Sequence, residues 1–148
     1  MISPRCRAFV LLATLPYLAA CENEAVSMMI DGRNHALVLV REQQYFWRDT
    51  VEQSLIASRL PDCQRKVKIR PGRTTMTPLE VYETGEMLWA LHQGGQWYLA
   101  STEECRVQDW HKPADQSPGQ ARGRFEMRGG KVVFTPAPSP SPAPQPGA

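Results

Sequence analysis

The chain has 148 residues, 42% of them hydrophobic, with 17 basic and 15 acidic side chains and four cysteines. That length suits a single modest core. Removal of the N-terminal segment that carries Arg5 and Arg7, as expected of a secretion signal, leaves 17 − 2 = 15 basic against 15 acidic residues; a near-neutral product excludes a general nucleic-acid binder and a polybasic membrane-surface protein.

That segment runs from the two arginines through an apolar stretch, Ala8 to Ala20, and closes on Leu18-Ala19-Ala20-Cys21. Basic residues, an apolar run and small residues before a cut are the parts of a secretion signal. The run of about 13 residues is short of the roughly 20 that a membrane span needs. Pro16 within it disturbs a helix. The residues alone leave three readings: a signal with a modified Cys21, a signal cut after Ala20 with Cys21 incidental, or a buried helix.

Leu-small-small-Cys in this position resembles a bacterial lipobox, and the resemblance covers the first 21 residues. It implies cleavage before Cys21, a thioether-linked diacylglycerol on the cysteine and an acyl group on its amine. One fatty chain holds a protein marginally and two signals hold it stably, so three chains imply a permanent anchor. In such lipoproteins an Asp after the cysteine favours the inner membrane. Here the residue is Glu22, which implies the periplasmic face of the outer membrane, with the inner membrane as the alternative. The expected organisation is a lipoprotein signal peptide over 1–20, a short lipid tether over 21–25, a single mainly β periplasmic domain over 26–134 and a Pro-rich disordered tail over 135–148. In the tail, proline stands at every second position from 136 to 146, a composition biased to polyproline II with no core of its own.

Within the body the hydrophobic period is mostly two. Val26 to Ile30 is a short apolar run, Asp31-Gly32 is a hairpin signal, and His35 to Arg41 alternates in part around Leu37 and Leu39. Gly94-Gly95 separates 87–93 from 96–101, and Gly129-Gly130 separates 124–128 from 131–134, again at hairpin spacing. These signals predict a small antiparallel sheet, sandwich or partial barrel. One stretch resists: Thr50 to Leu60 places Val51, Leu55, Ile56 and Leu60 on a helical face, with Thr50 and Gln53 spaced as a capping pair. A short helix near 50–60 is the expectation, with an alternating strand as the alternative. Ser101 to Glu104 is read as the start of a second short helix.

Cys6 leaves with the signal and Cys21 takes lipid, so Cys63 and Cys105 remain as one pair in an exported protein. A disulfide is expected; its loop of roughly forty residues is worth at most about 4 kcal/mol by closure entropy. A free reactive or metal-binding thiol is the alternative. Charge is segregated. Six basic residues lie between Arg59 and Arg73, whereas 74–105 holds only acidic charge, which suggests that Gln64–Arg70 and Leu79–Glu83 are neighbouring strands.

No nucleophile elbow, phosphate loop, dinucleotide fingerprint or zinc-helix motif occurs. His35, His92 and His111 stand singly, and the sequence calls for no cofactor, metal or catalytic residue. Two features suit binding. Lys66, Lys68 and Arg70 line one face of a strand, either to meet an anionic envelope polymer, lipid phosphate or acidic envelope protein, or to protect a sheet edge. Tyr45-Phe46-Trp47 cannot all face one core from a strand, since Phe46 then points away from the other two. The triplet either packs in the core around a bulge or covers a groove or partner. The triplet followed by Pro61-Asp62-Cys63-Gln64-Arg65 is similar to small proteobacterial envelope lipoproteins of unknown function. That resemblance implies the compartment and the disulfide, and no activity. The functional expectation is a lipid-anchored, non-enzymatic binding or structural module; the alternative is an envelope hydrolase or small-ligand carrier whose site no local motif reveals.

Overall fold

The computed structural model describes residues 23–139. The expected signal peptide, Cys21 and the expected tail from residue 140 onward lie outside the described residues. Ten strands follow one another: β1 (Asn23–Asp31), β2 (His35–Glu42), β3 (Thr50–Arg59), β4 (Cys63–Arg73), β5 (Leu79–Gly85), β6 (Leu88–Gln93), β7 (Gln96–Ser101), β8 (Arg106–Asp109), β9 (Gln120–Arg128) and β10 (Lys131–Pro136). They form two antiparallel sheets, ordered β1-β2-β3-β4 and β10-β9-β5-β6-β7-β8. No helix occurs among the described residues.

The glycine pairs make the turns that their positions require. Gly129 and Gly130 both have positive φ (+55° and +77°) between the paired Arg128 and Lys131, as a two-residue turn of type I′ demands. Gly94, with φ +52°, does the same at the first position of the β6–β7 turn.

The two sheets face each other over one core. Leu37, Leu39, Leu55 and Ala57 come from the first sheet, and Leu79, Val81, Leu91, Tyr98 and Phe125 from the second. The sheets also approach along both sides without a ladder closing a barrel. On one side Val132 N–H donates to Glu24 Oε1 at 3.2 Å; on the other Arg70 N–H donates to the Tyr98 hydroxyl at 3.2 Å.

The helix expected near 50–60 is strand β3. Val51, Gln53, Leu55 and Ala57 point into the core while Ile56 faces out. Gln53 hides the alternation. It is 1% exposed, and its amide donates to the Arg70 carbonyl (2.9 Å) and to Gln93 Oε1 (3.0 Å), which ties the two sheets together. A polar residue at an inward position breaks the hydrophobic period that marks a strand, and pairing on both sides overrides local propensity. Ser101 ends strand β7, and Thr102 to Glu104 form turns instead of a helix.

The expected neighbours Gln64–Arg70 and Leu79–Glu83 lie in different sheets. Strand β4 pairs only with β3, and its lysines find carboxylates on its own sheet. The strands also run past the expected domain ends. Asn23 and Glu24 already pair with Glu42 and Arg41, so β1 begins inside the expected tether. Thr135 and Pro136 pair with Arg124 and Gly123, and Ala137 N–H donates to the Arg122 carbonyl at 2.9 Å. The first residues of the expected tail therefore belong to the sheet. Pro136 fits there because β10 is an edge strand, where a missing N–H is tolerated.

Candidate functional site

Cys63 and Cys105 form a disulfide, with Cα atoms 5.9 Å apart. It joins the start of β4 to the turn after β7 and so fastens one sheet to the other at one end of the domain. Thr102, fully buried beside it, hydrogen-bonds His35 Nε2 through its hydroxyl (2.7 Å). Its carbonyl accepts from Arg59 Nε (3.2 Å).

The basic ladder lies on β4, at the edge of the four-stranded sheet. Lys66 pairs with Glu42 at 3.2 Å and Lys68 with Glu52 at 3.3 Å. Two of the three positive charges thus have carboxylate partners on β2 and β3. Arg70 stays exposed, while its backbone is held between Tyr98 and Gln53. Such exposed pairs are worth about 0–1 kcal/mol each.

Tyr45, Phe46 and Trp47 lie in the loop between β2 and β3, outside any strand, and are 44%, 66% and 66% exposed. They are not packed in the core. Because the loop is not extended, the alternation argued from a strand does not apply: Trp47 meets both Tyr45 (centroids 5.0 Å apart) and Phe46 (4.9 Å, edge-on). Arg48 caps the group from 5.3 Å above the Tyr45 ring.

Two further features escape a linear reading. The first is a cleft of about 520 Å³ at the Asp31–His35 end of the domain. Met28, Met29, Ile30 and His35 line it from one sheet; Met87, Trp89 and Phe134 line it from the other, with Glu83 and Arg122 as an ion pair on its rim. Three register breaks surround it. Ile30 is the extra residue opposite β2, Thr84 the extra residue opposite β6, and Arg122 the extra residue opposite β5. Bulges re-aim side chains and gather near sites, and here two of the three bulged residues line the cleft. Trp89 Nε1, buried in its floor, has no hydrogen-bond partner. Pairing register is invisible in one sequence, though the unusual Met28-Met29 and Met87 are a signal of an adaptable apolar wall.

The second feature is a ring cluster on the outer face of the six-stranded sheet. His92 stacks on Trp97 (4.2 Å), which Trp110 meets edge-on and Lys112 overlies at 5.4 Å. His92 Nδ1 donates to Glu80 Oε2 (3.1 Å), as does the Tyr82 hydroxyl (3.1 Å). The His92 hydrogen bond holds the Glu80 carboxyl below its ordinary range, while burial raises the Tyr82 hydroxyl. The Trp97 ring thus takes its neighbours from within the chain. No group of three or more His, Cys, Asp or Glu side chains converges among the described residues.

No protein-family model, curated protein or solved structure matches this chain.

Proposed function

We propose that the protein is a lipid-anchored, non-enzymatic binding module of the bacterial cell envelope, facing the periplasm. The observation that carries this reading is the seat of the lipobox cysteine: Cys21 stands two residues before Asn23, the first residue of a paired strand. Cleavage at Ala20 would free a complete sheet with its anchor directly attached. The Cys63–Cys105 disulfide supports export to an oxidising compartment. The test is metabolic labelling with a fatty-acid analogue. The wild-type chain takes up label and sediments with the envelope, while Cys21→Ala takes up none. Label retained by Cys21→Ala overturns the reading.

A second reading is favoured by the cleft. Its volume of about 520 Å³ falls in the range of small-molecule sites and its walls are mainly apolar. A carrier of an apolar ligand would hold it there, between the thioethers and the Trp89 ring. Native mass spectrometry of protein taken gently from the envelope decides between the readings. A bound species lost on Met28→Glu favours the carrier; unliganded protein with a full complement of partners in crosslinking favours the module.

A further inference from the structure

We propose that the Tyr45-Phe46-Trp47 loop is a second membrane contact, seated in the headgroup boundary of the bilayer that holds the lipid on Cys21. The inference rests on the lipid-anchor reading and adds to it a surface and an orientation. Asn23 is paired with Glu42, the last residue of β2, and the aromatic loop begins one residue later. Two residues reach at most roughly 7 Å, and the three from Glu42 to Tyr45 at most roughly 11 Å. The anchor and the rings therefore belong to the same end of the domain. The opposite flank of β1 agrees: Glu24 accepts from Val132 N–H, which brings the β9–β10 turn with exposed Lys131 to that end. Arg48 stands in the loop itself.

The chemistry suits lipid. Three rings that are 44–66% exposed and packed on one another form an apolar tip. Trp and Tyr carry an apolar body and a polar edge, the combination favoured at membrane interfaces. Arg48 in the loop and Lys131 at the same end of the domain add positive charge for anionic headgroups. Strand β1, nine residues long, then rises roughly 26 Å from the bilayer. The disulfide and the Met-lined cleft sit at its far end, open to the periplasm.

The test uses full-length protein purified from the envelope and reconstituted in phosphatidylglycerol–phosphatidylcholine vesicles whose acyl chains carry bromine near the headgroups. Mass spectrometry first establishes the state of Cys21. With Cys21 acylated, the bilayer quenches tryptophan emission, and Trp47→Phe reduces the quenched part by about twofold or more, since interfacial groups lie roughly 5–10 Å deep. Trp89, buried in the core, is the internal unquenched reference. Phe46→Ser/Trp47→Ser keeps the melting temperature, because neither ring is in the core, and also loses the quenching. Acylated protein whose quenching is absent, or unchanged by Trp47→Phe, overturns the loop contact and leaves the anchor standing. Trp47 protected only at high protein concentration assigns the loop to a second copy and overturns it too. Unmodified Cys21 overturns the anchor and this inference with it.

Discussion

Replacing both bridged cysteines, Cys63→Ala/Cys105→Ala, should destabilise the domain through its unfolded state. The two residues are 42 apart in sequence, so loop-closure entropy gives about 4 kcal/mol as the ceiling. The closed segment runs from β4 through β7, and three of those strands pair with one another as successive hairpins. Local structure of that kind persists in unfolded chains and lowers the gain, so a loss of about 2–4 kcal/mol is expected. For a domain of this size that corresponds to roughly 8–15 °C in melting temperature. Urea unfolding followed by tryptophan emission measures it. Wild-type protein in excess reductant should lose the same amount, and the double variant should not respond to reductant at all. A double variant within about 1 kcal/mol of wild type would refute the reasoning.

Four further outcomes are expected. Gln53→Leu should cost about 1–3 kcal/mol despite its apolar gain, because the Arg70 carbonyl and the Gln93 amide lose a buried partner; pairing it with Gln93→Leu in a double-mutant cycle should recover part of the loss. Truncation after Phe134 should lower the melting temperature, since it removes the Thr135 hydroxyl bond to Glu126 and the Ala137 N–H bond to Arg122; an unchanged value would return residues 135–137 to the tail. Lys66→Gln/Lys68→Gln should change stability by less than about 1 kcal/mol, with increased self-association by light scattering if the ladder guards the β4 edge and lost, salt-sensitive capture of envelope polymer if it binds. For acid, Glu80 titrates below its ordinary value of 4.5 in the folded state, chiefly through the His92 hydrogen bond. The folded chain thus binds that proton more weakly than the unfolded one, so the contribution is full above the ordinary value and is lost as pH falls through the folded one. Glu80→Gln should flatten the acid limb of the stability profile relative to pH 7, and an unaltered limb would contradict the assignment.

How much of this was readable in the residues varies from place to place. The hairpins at Gly94-Gly95 and Gly129-Gly130 could be read because the turn geometry selects glycine at those positions. The disulfide could be read because only Cys63 and Cys105 remain once the expected signal and lipid anchor account for Cys6 and Cys21. Strand β3 was hidden by one inward-facing glutamine, whose partners lie in the other sheet. The acidic partners of Lys66 and Lys68 were misplaced because charge segregation along a chain does not say which strands are adjacent. The aromatic triplet stands out in the sequence, but its exposure follows from lying in the β2–β3 loop. The cleft was out of reach altogether, since it is built from register breaks in three strand pairs.

The most direct test of the account is the mass of the N-terminal peptide of the protein isolated from its own envelope. A peptide beginning at Cys21 and carrying a diacylglyceryl group and an amide-linked acyl chain is the predicted result. A peptide that begins elsewhere, or an unmodified Cys21, would contradict it.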